Sequence, residues 1–394
     1  MRIAHIITRL IVGGAQENTL ASALGLAAKP GWEVELISGP TEGPEGSLEN
    51  WLEGSRPVRL RIVRSLIRPV HPWHDLQAYL ALTRVLRASR PDMVHTHSGK
   101  AGVLGRWAAR SARIQTIVHT IHGPSFGPFQ GRLANAAFRG AERAAGRCTH
   151  HYVAVAQAMI DQYLAAGLGR PDDYTLIRSG FDTRPFAEAR RDPAVRAGWG
   201  IGEDDFVVGT LSRLAPLKGM EDLISAAPLV LERVPRAKFL MVGDGSLRGV
   251  LEAEIRRLGL ERAVVFAGLV RPEEVPGCVA QMDVLAHLSR REGLPRALPQ
   301  ALAAGKPVVA FDVDGAREVC LDGEHGFLLK AGDVRGLSER LVELAEKPEL
   351  RRRFGEQGRR WVASRFSVET MVDSLEALYR RLAGRTDLEP RPSC

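Results

Sequence analysis

Several function classes are excluded by what the chain has little of. Its four cysteines, Cys148, Cys278, Cys320 and Cys394, lie far apart in 394 residues and form no C-x-x-C pair. Neither a zinc site nor a dithiol redox motif is indicated, and a reduced, cytoplasmic setting is expected. No run of about 18 apolar residues occurs, so a spanning helix is not expected. The opening Met1-Arg2-Ile-Ala-His-Ile-Ile-Thr is too short an apolar run for a signal peptide and leads to Gly13-Gly14, so it reads as a first strand. The G-x-G-x-x-G spacing is missing after that strand, which argues against nicotinamide binding. There is no recognisable RNA or DNA module and little exposed-aromatic patterning, so no nucleic-acid partner is expected.

What is present suits a globular enzyme. Apolar residues make up 45% and charged residues 25%, and 394 residues exceed what one hydrophobic core usually supports, so two domains are expected. The net charge of +8 is N-terminal: residues 1–185 hold 22 Lys/Arg against 14 Asp/Glu, and the remainder is balanced at 32 against 32. Gly54 to His74 carries Arg56, Arg59, Arg61, Arg64 and Arg68 and no carboxylate, interleaved with apolar residues that include Val58, Leu60, Ile62 and Trp73. Such a stretch suits either an anionic membrane surface or acceptor, or an ordinary edge strand with solvated arginines.

Taken in order, the pattern is strand, glycine turn, helix, repeated. Ile3–Ile7 reads as a buried strand, Gly13-Gly14 as a turn that lets backbone approach an anionic ligand, and Asn18–Ala28 as a helix. Further strands are expected at Glu33–Ser38, Asp92–His97, Ile117–Ile121 and Cys148–Ala156. Helices are expected at Trp73–Ser89, Val103–Arg110 and Met159–Ala166. His95 and His97 are expected on opposite faces of their strand and so not to share a metal. His122 closes a strand before the Gly/Pro loop Gly123-Pro124-Ser125-Phe126-Gly127-Pro128. Periodicity lapses near Pro185, which places domains at 1–182 and 183–365, with a helix and tail at 366–394. The second domain repeats the logic with strands 206–211, 238–242, 264–266, 284–287 and 307–311 and helices 219–232, 247–258 and 296–304. Two doubly wound α/β domains in tandem, facing across a cleft, are expected.

The second domain's first turn, Leu211-Ser-Arg213-Leu-Ala-Pro-Leu-Lys218-Gly219, puts two cations five residues apart at the carboxyl edge of a parallel sheet. Glu292-Gly293-Leu294-Pro295 occupies another such turn, adding a carboxylate and backbone N–H groups. Cations and N–H groups suit phosphate oxygens, and a carboxylate suits hydroxyls, so a sugar diphosphate offers both kinds of partner. Asp312-Val-Asp314 matches D-x-D but comes after the last major strand and reads as turn chemistry.

Gly13-Gly14, His122, Arg213 with Lys218-Gly219, Val242-Gly243-Asp244-Gly245, Glu292-Gly-Leu-Pro, and Gly315 with Glu318 together resemble glycosyltransferase family 4, the retaining enzymes of GT-B fold, from the first strand to about residue 380. The resemblance implies that Gly14, beside Gly13, approaches the donor phosphate and that Arg213 and Lys218 neutralise the departing diphosphate. Glu292 would bond the donor sugar's hydroxyls, the N–H groups of Gly293 and Leu294 would hold sugar and phosphate, and His122 would contact the sugar. Gly243 counts among the substrate-binding residues. The family's E-x7-E pair departs here, since Gln300 stands where the second, ribose-binding acid is expected; it keeps an acceptor oxygen and adds a donor. The implied activity is transfer of a sugar from a UDP- or GDP-sugar to an acceptor glycan, lipid-linked sugar or small molecule, without metal or other cofactor. Two alternatives stay open at this point: a sugar-nucleotide epimerase of the same fold, and a non-catalytic basic nucleotide- or nucleic-acid-binding protein.

Overall fold

A computed structural model describes residues 1–41, 46–52, 58–127 and 129–384. Gly54–Pro57 of the basic stretch, Pro128 of the Gly/Pro loop and the expected tail Thr386–Cys394 lie outside them. The chain divides into unit 1, Met1–Phe181 together with the segment from Val368, and unit 2, Asp182–Ser367.

Unit 1 runs β1 (Arg2–Ile7), α1 (Gly14–Ala27), β2 (Glu33–Ser38), β3 (Val58–Ile62), α2 (Pro72–Ser89), β4 (Met93–His97), α3 (Gly99–Ser111), β5 (Thr116–Ile121), α4 (Arg132–Gly146), β6 (His151–Ala154), α5 (Gln157–Ala165) and β7 (Tyr174–Leu176). Its seven strands are parallel in the order β3-β2-β1-β4-β5-β6-β7. One face carries Ile3, Met93, Val118 and Val153 against Ala23 and Leu26 of α1. The other carries Ala4, Ile6, Val94 and Ile117 against Ala78, Leu82 and Leu86 of α2 and Ala101 and Ala108 of α3. The central strands are buried on both faces at nearly every position, histidines and threonines included.

Unit 2 opens with α6 (Arg184–Glu188) and α7 (Pro193–Gly198). It continues through β8 (Phe206–Leu211), α8 (Met220–Arg233), β9 (Ala237–Val242), α9 (Arg248–Arg257), β10 (Val264–Gly268), α10 (Val275–Ala280), β11 (Val284–His287) and α11 (Ala297–Ala303). It ends with β12 (Val308–Phe311), β13 (Gly326–Leu329), α12 (Val334–Glu346) and α13 (Pro348–Ala363). The six strands are again parallel, ordered β10-β9-β8-β11-β12-β13. Strand order reverses between β8 and β11, as it does between β1 and β4 in unit 1, and outside the carboxyl ends of strands at such a reversal open sheets bind ligands. The final helix, α14 (Val368–Ala383), packs on unit 1: Met371, Val372, Leu375, Leu378, Tyr379 and Leu382 are buried with Ile3, Trp32 and Met93. Its apolar residues recur at helical spacing, so one stripe faces the sheet.

Three expectations need correction. Helices α1 and α3 begin at Gly14 and Gly99, four residues before the expected starts at Asn18 and Val103, because glycine's low helix propensity matters little in a first turn whose N–H groups lack intrahelical partners. The strand expected at Cys148–Ala156 is confined to His151–Ala154; Cys148 and Thr149 instead close α4, donating to the carbonyls of Ala145 and Gly146. His95 and His97 are not on opposite faces. Residues two apart on a strand share a face, and their rings lie 4.3 Å apart.

Candidate functional site

In unit 2 the loops after β8 and β11 are fastened to each other, and that fastening brings two of the expected site residues into contact. Leu217 takes a left-handed φ of 68°, uncommon for a residue with a side chain. Its carbonyl accepts from the Arg290 N–H at 2.8 Å. The Arg290 guanidinium reaches α8 and bonds both carboxylate oxygens of Asp222 at 2.9 and 2.7 Å. Gly219 comes next at φ 72°, and a Cβ there would lie 2.1 Å from the Leu288 carbonyl oxygen, so the two loops can close only over a glycine. Between these tethers, Lys218 Nζ donates to Glu292 Oε1 at 2.5 Å.

Both charges are four-fifths buried, with side-chain exposures of 20% and 18%. His287, the last residue of β11, places Nε2 3.4 Å from the same carboxylate oxygen, too long and poorly aligned for a good hydrogen bond but close enough to act electrostatically. Burial pushes the Glu292 carboxyl up, yet His287 and Lys218 outweigh it and hold the group well below the usual carboxylate range. Glu292 is therefore an ionised acceptor answered by one lysine. Sequence reasoning missed His287 and Arg290. A histidine ending a strand five residues before Glu292 was a signal for the first; the second could not be found without knowing that α8 lies beside it.

The remaining unit 2 residues divide by role. Gly243 has φ 126°, and a Cβ would stand 2.1 Å from the Ser212 carbonyl oxygen. Leu214 N–H donates to the Asp244 carbonyl at 3.0 Å, which aligns the β9 turn with the β8 turn. Gly243 thus has a packing reason for being glycine, and it supports the strand of chain that bears Arg213, an exposed residue. Asp314, with φ 50°, accepts from the Glu292 N–H at 2.6 Å, while Asp312 pairs with Arg317. Both acids of the D-x-D match therefore serve turns. The N–H groups of Gly293 and Leu294 have no partner among the described residues. Gln300 is half-buried on α11; its backbone N–H donates to the Arg296 carbonyl, and its side-chain amide has no partner among the described residues.

Gly13, Gly14 and His122 belong to unit 1. Gly13 caps α1 and Gly14 is its first residue, at the strand-order reversal beside β4. His122 sits just after β5, half-buried, and its Nε2 lies 3.0 Å from His97 Nδ1. His5, His95 and His97 form the one group among the described residues whose nitrogens are close enough to share an ion, within 4.8 Å. All their nitrogens except His5 Nε2 already meet another side chain: His5 meets His97, His97 meets His122, and His95 meets Tyr379 and Thr120.

Comparison with known proteins gives a consistent picture. A family model described as Glycosyl transferases group 1 matches residues 192–361, and one described as Glycosyltransferase Family 4 matches residues 12–184. EpsD of Bacillus subtilis (strain 168), named for a glycosyltransferase, is 30% identical over 359 residues, 89% of each chain. An Escherichia coli α-1,3-galactosyltransferase, named for UDP-galactose and N-acetylglucosaminyl-diphosphoundecaprenol, is 26% identical over 388 residues, 96% of each chain. Among solved structures, Anabaena HepE in complex with UDP-glucose superposes with a TM-score of 0.81 at 26% identity, covering 97% of this chain and all of the other.

The ion pair yields a titration test. A depressed carboxyl contributes stability that is present above its unfolded-state pKa, about 4.3 for glutamate, and is lost as pH falls through the folded value. Replacing Lys218 by Met leaves burial less opposed, so Glu292 should titrate at higher pH than in the wild type when monitored by carboxyl-carbon NMR. Equal midpoints would remove Lys218 as its partner.

Proposed function

Because the chain belongs to glycosyltransferase family 4, we propose that it is a retaining, metal-independent transferase that moves a sugar from a nucleotide diphosphate to a lipid-linked or polysaccharide precursor of the cell envelope. The observation that carries this reading is the Lys218–Glu292 pair at the carboxyl edge of the unit 2 sheet. The lysine answers the carboxylate. A diphosphate offers Lys218 a stronger anionic partner, and the sugar hydroxyls then take its place as donors to Glu292. The N–H groups of Gly293 and Leu294, which have no partner among the described residues, suit the remaining oxygens. Arg213 joins Lys218 in neutralising the diphosphate; in unit 1, Gly14 is read as a donor-phosphate contact and His122 as a sugar contact.

The course of the reaction is set by charge. The bond from the anomeric carbon to the diphosphate oxygen breaks, a bond to the acceptor hydroxyl oxygen forms on the same face, and the acceptor's proton passes to the departing phosphate. Negative charge grows on the diphosphate, so fixed cations and N–H groups stabilise the transition state more than the ground state. The named substrates of the Escherichia coli relative and the UDP-glucose complex of the Anabaena protein favour a UDP-sugar, with Gln300 in the ribose-binding role. The epimerase alternative gains no support from these relatives, and family membership sets aside the non-catalytic one.

A peripheral membrane site fits the same reading. No helix of the described residues is long and apolar enough to cross a membrane. Part of the basic stretch is structural: β3 is the sheet edge, Val63 and Leu66 are buried, and Arg61 pairs with Glu35. Beyond Leu66 the chain changes character. Val70, Trp73, Leu76 and Leu80 are exposed apolar residues on and before α2, near exposed Arg64 and Arg68 in the chain. Apolar anchors among arginines match an anionic lipid surface, which would also carry a lipid-linked acceptor.

Three outcomes are expected. A UDP-sugar at 100 times its dissociation constant should stabilise the chain by about 2.7 kcal/mol in a thermal-shift screen. Lys218→Ala and Glu292→Ala should each lower turnover by about 10² to 10³ with the fold retained; if no nucleotide diphosphate shifts the melt, the reading is wrong. At low salt the chain should sediment with phosphatidylglycerol vesicles and Trp73→Ser with Leu76→Ser should not, whereas equal sedimentation would exclude α2 as the anchor.

A further inference from the structure

Three imidazoles run in series along the sheet face of unit 1 that α1 and α14 cover. His5 Nδ1 lies 2.9 Å from His97 Nε2, and His97 Nδ1 lies 3.0 Å from His122 Nε2. His5 and His97 are fully buried, and His122 at the end of the series is half-buried. We propose that His5 and His97 are positioning residues that fix the tautomer of His122, so that it offers an N–H at Nδ1 as a hydrogen-bond donor and cannot act there as a base. The tautomer is a property of the free protein alone; the use made of that donor rests on the reading of His122 as a substrate contact.

The order of the protons can be counted. A neutral imidazole has one N–H and one lone pair. Burial holds His5 and His122 neutral, with pKa values lowered to about 3, and burial together with the neighbouring imidazoles drives His97 down as well. With one proton per ring, both hydrogen bonds can form only if the series is ordered in a single direction. Either every Nδ1–H donates outward, from His5 to His97 to His122, or every Nε2–H donates inward.

The inner end decides between them. His5 Nε2 is buried and has no partner among the described residues. Inward order would strand an N–H there, whereas outward order leaves only an unused lone pair. Buried orphan N–H groups are the rarer case. Outward order therefore puts the protons on Nδ1 of all three rings, and His122 accepts at Nε2 and presents Nδ1–H. His95 does not compete, because its two nitrogens are taken by Tyr379 and Thr120. A donor at this position can hold a sugar oxygen, and it leaves the acceptor's proton to the departing phosphate.

The test reads the tautomer directly, without substrate. In the full chain labelled with nitrogen-15 histidine, long-range proton–nitrogen correlation should show His5, His97 and His122 as Nδ1–H forms that do not titrate between pH 5.5 and 8.5; a His122→Gln spectrum assigns the ring. His97→Leu should release His122 toward the Nε2–H form and lower kcat about tenfold, the scale of one hydrogen bond, with the donor KM unchanged. His97→Gln, whose amide can donate to Nε2, should restore the Nδ1–H form. His5→Leu, which removes only the remote ring, keeps the test open if His97→Leu does not fold, and should give mixed tautomers. An Nε2–H form of His122 in the wild type, an unchanged tautomer in both leucine variants, or stoichiometric zinc held by His5, His95 and His97 would each overturn the proposal. Correct tautomers in a protein without transferase activity would refute the reaction and leave the positioning intact.

Discussion

A carboxylate kept ionised in a four-fifths buried position is the constraint on which the arrangement of unit 2 depends. Glu292 has to be answered there by positive charge, and Lys218 answers it. That demands two loops from different strands in contact, which explains the glycine at 219, the left-handed backbone at Leu217 and the Arg290–Asp222 tether. A buried ion pair adds little to stability on balance, and the function proposed above gives this one a use, since a sugar diphosphate would divide the pair between phosphate and hydroxyl.

Unit 1 meets the opposite problem. It buries five histidines, His5, His95, His97, His119 and His151, in a sheet otherwise packed with apolar residues. Polar rings at such positions persist when their nitrogens are paired, and here they pair mostly with one another or with hydroxyls: His119 with Thr96 and His151 with Thr175. α14 completes this face, and its Tyr379 is the partner of His95. The last helix of the chain thus closes the same layer that leads to His122.

The sequence makes the framework legible for a physical reason. Strands such as Phe206–Leu211 and Val284–His287 are buried along nearly their whole length, so a mostly apolar run marks them to the residue. α4 is absent from the expected helices, and its Leu133 and Phe138 are exposed rather than packed in a core. Lys218 and Glu292 could be singled out because cations and carboxylates at strand-to-helix turns are conspicuous. Their contact, and the part played by Arg290, depend on spacing between elements that are distant in sequence. The histidines show a plainer failure, since two residues apart on a strand means one face, and that face holds the series ending at His122.

The central claim is that Lys218 grips the diphosphate of the donor and Glu292 does not. Calorimetric titration of UDP and of uridine into the wild-type chain and into Lys218→Met addresses it most directly. The wild type is expected to bind UDP far more tightly than uridine, and Lys218→Met to lose most of this difference while its uridine affinity is unchanged. Undiminished preference for UDP in the variant would contradict it.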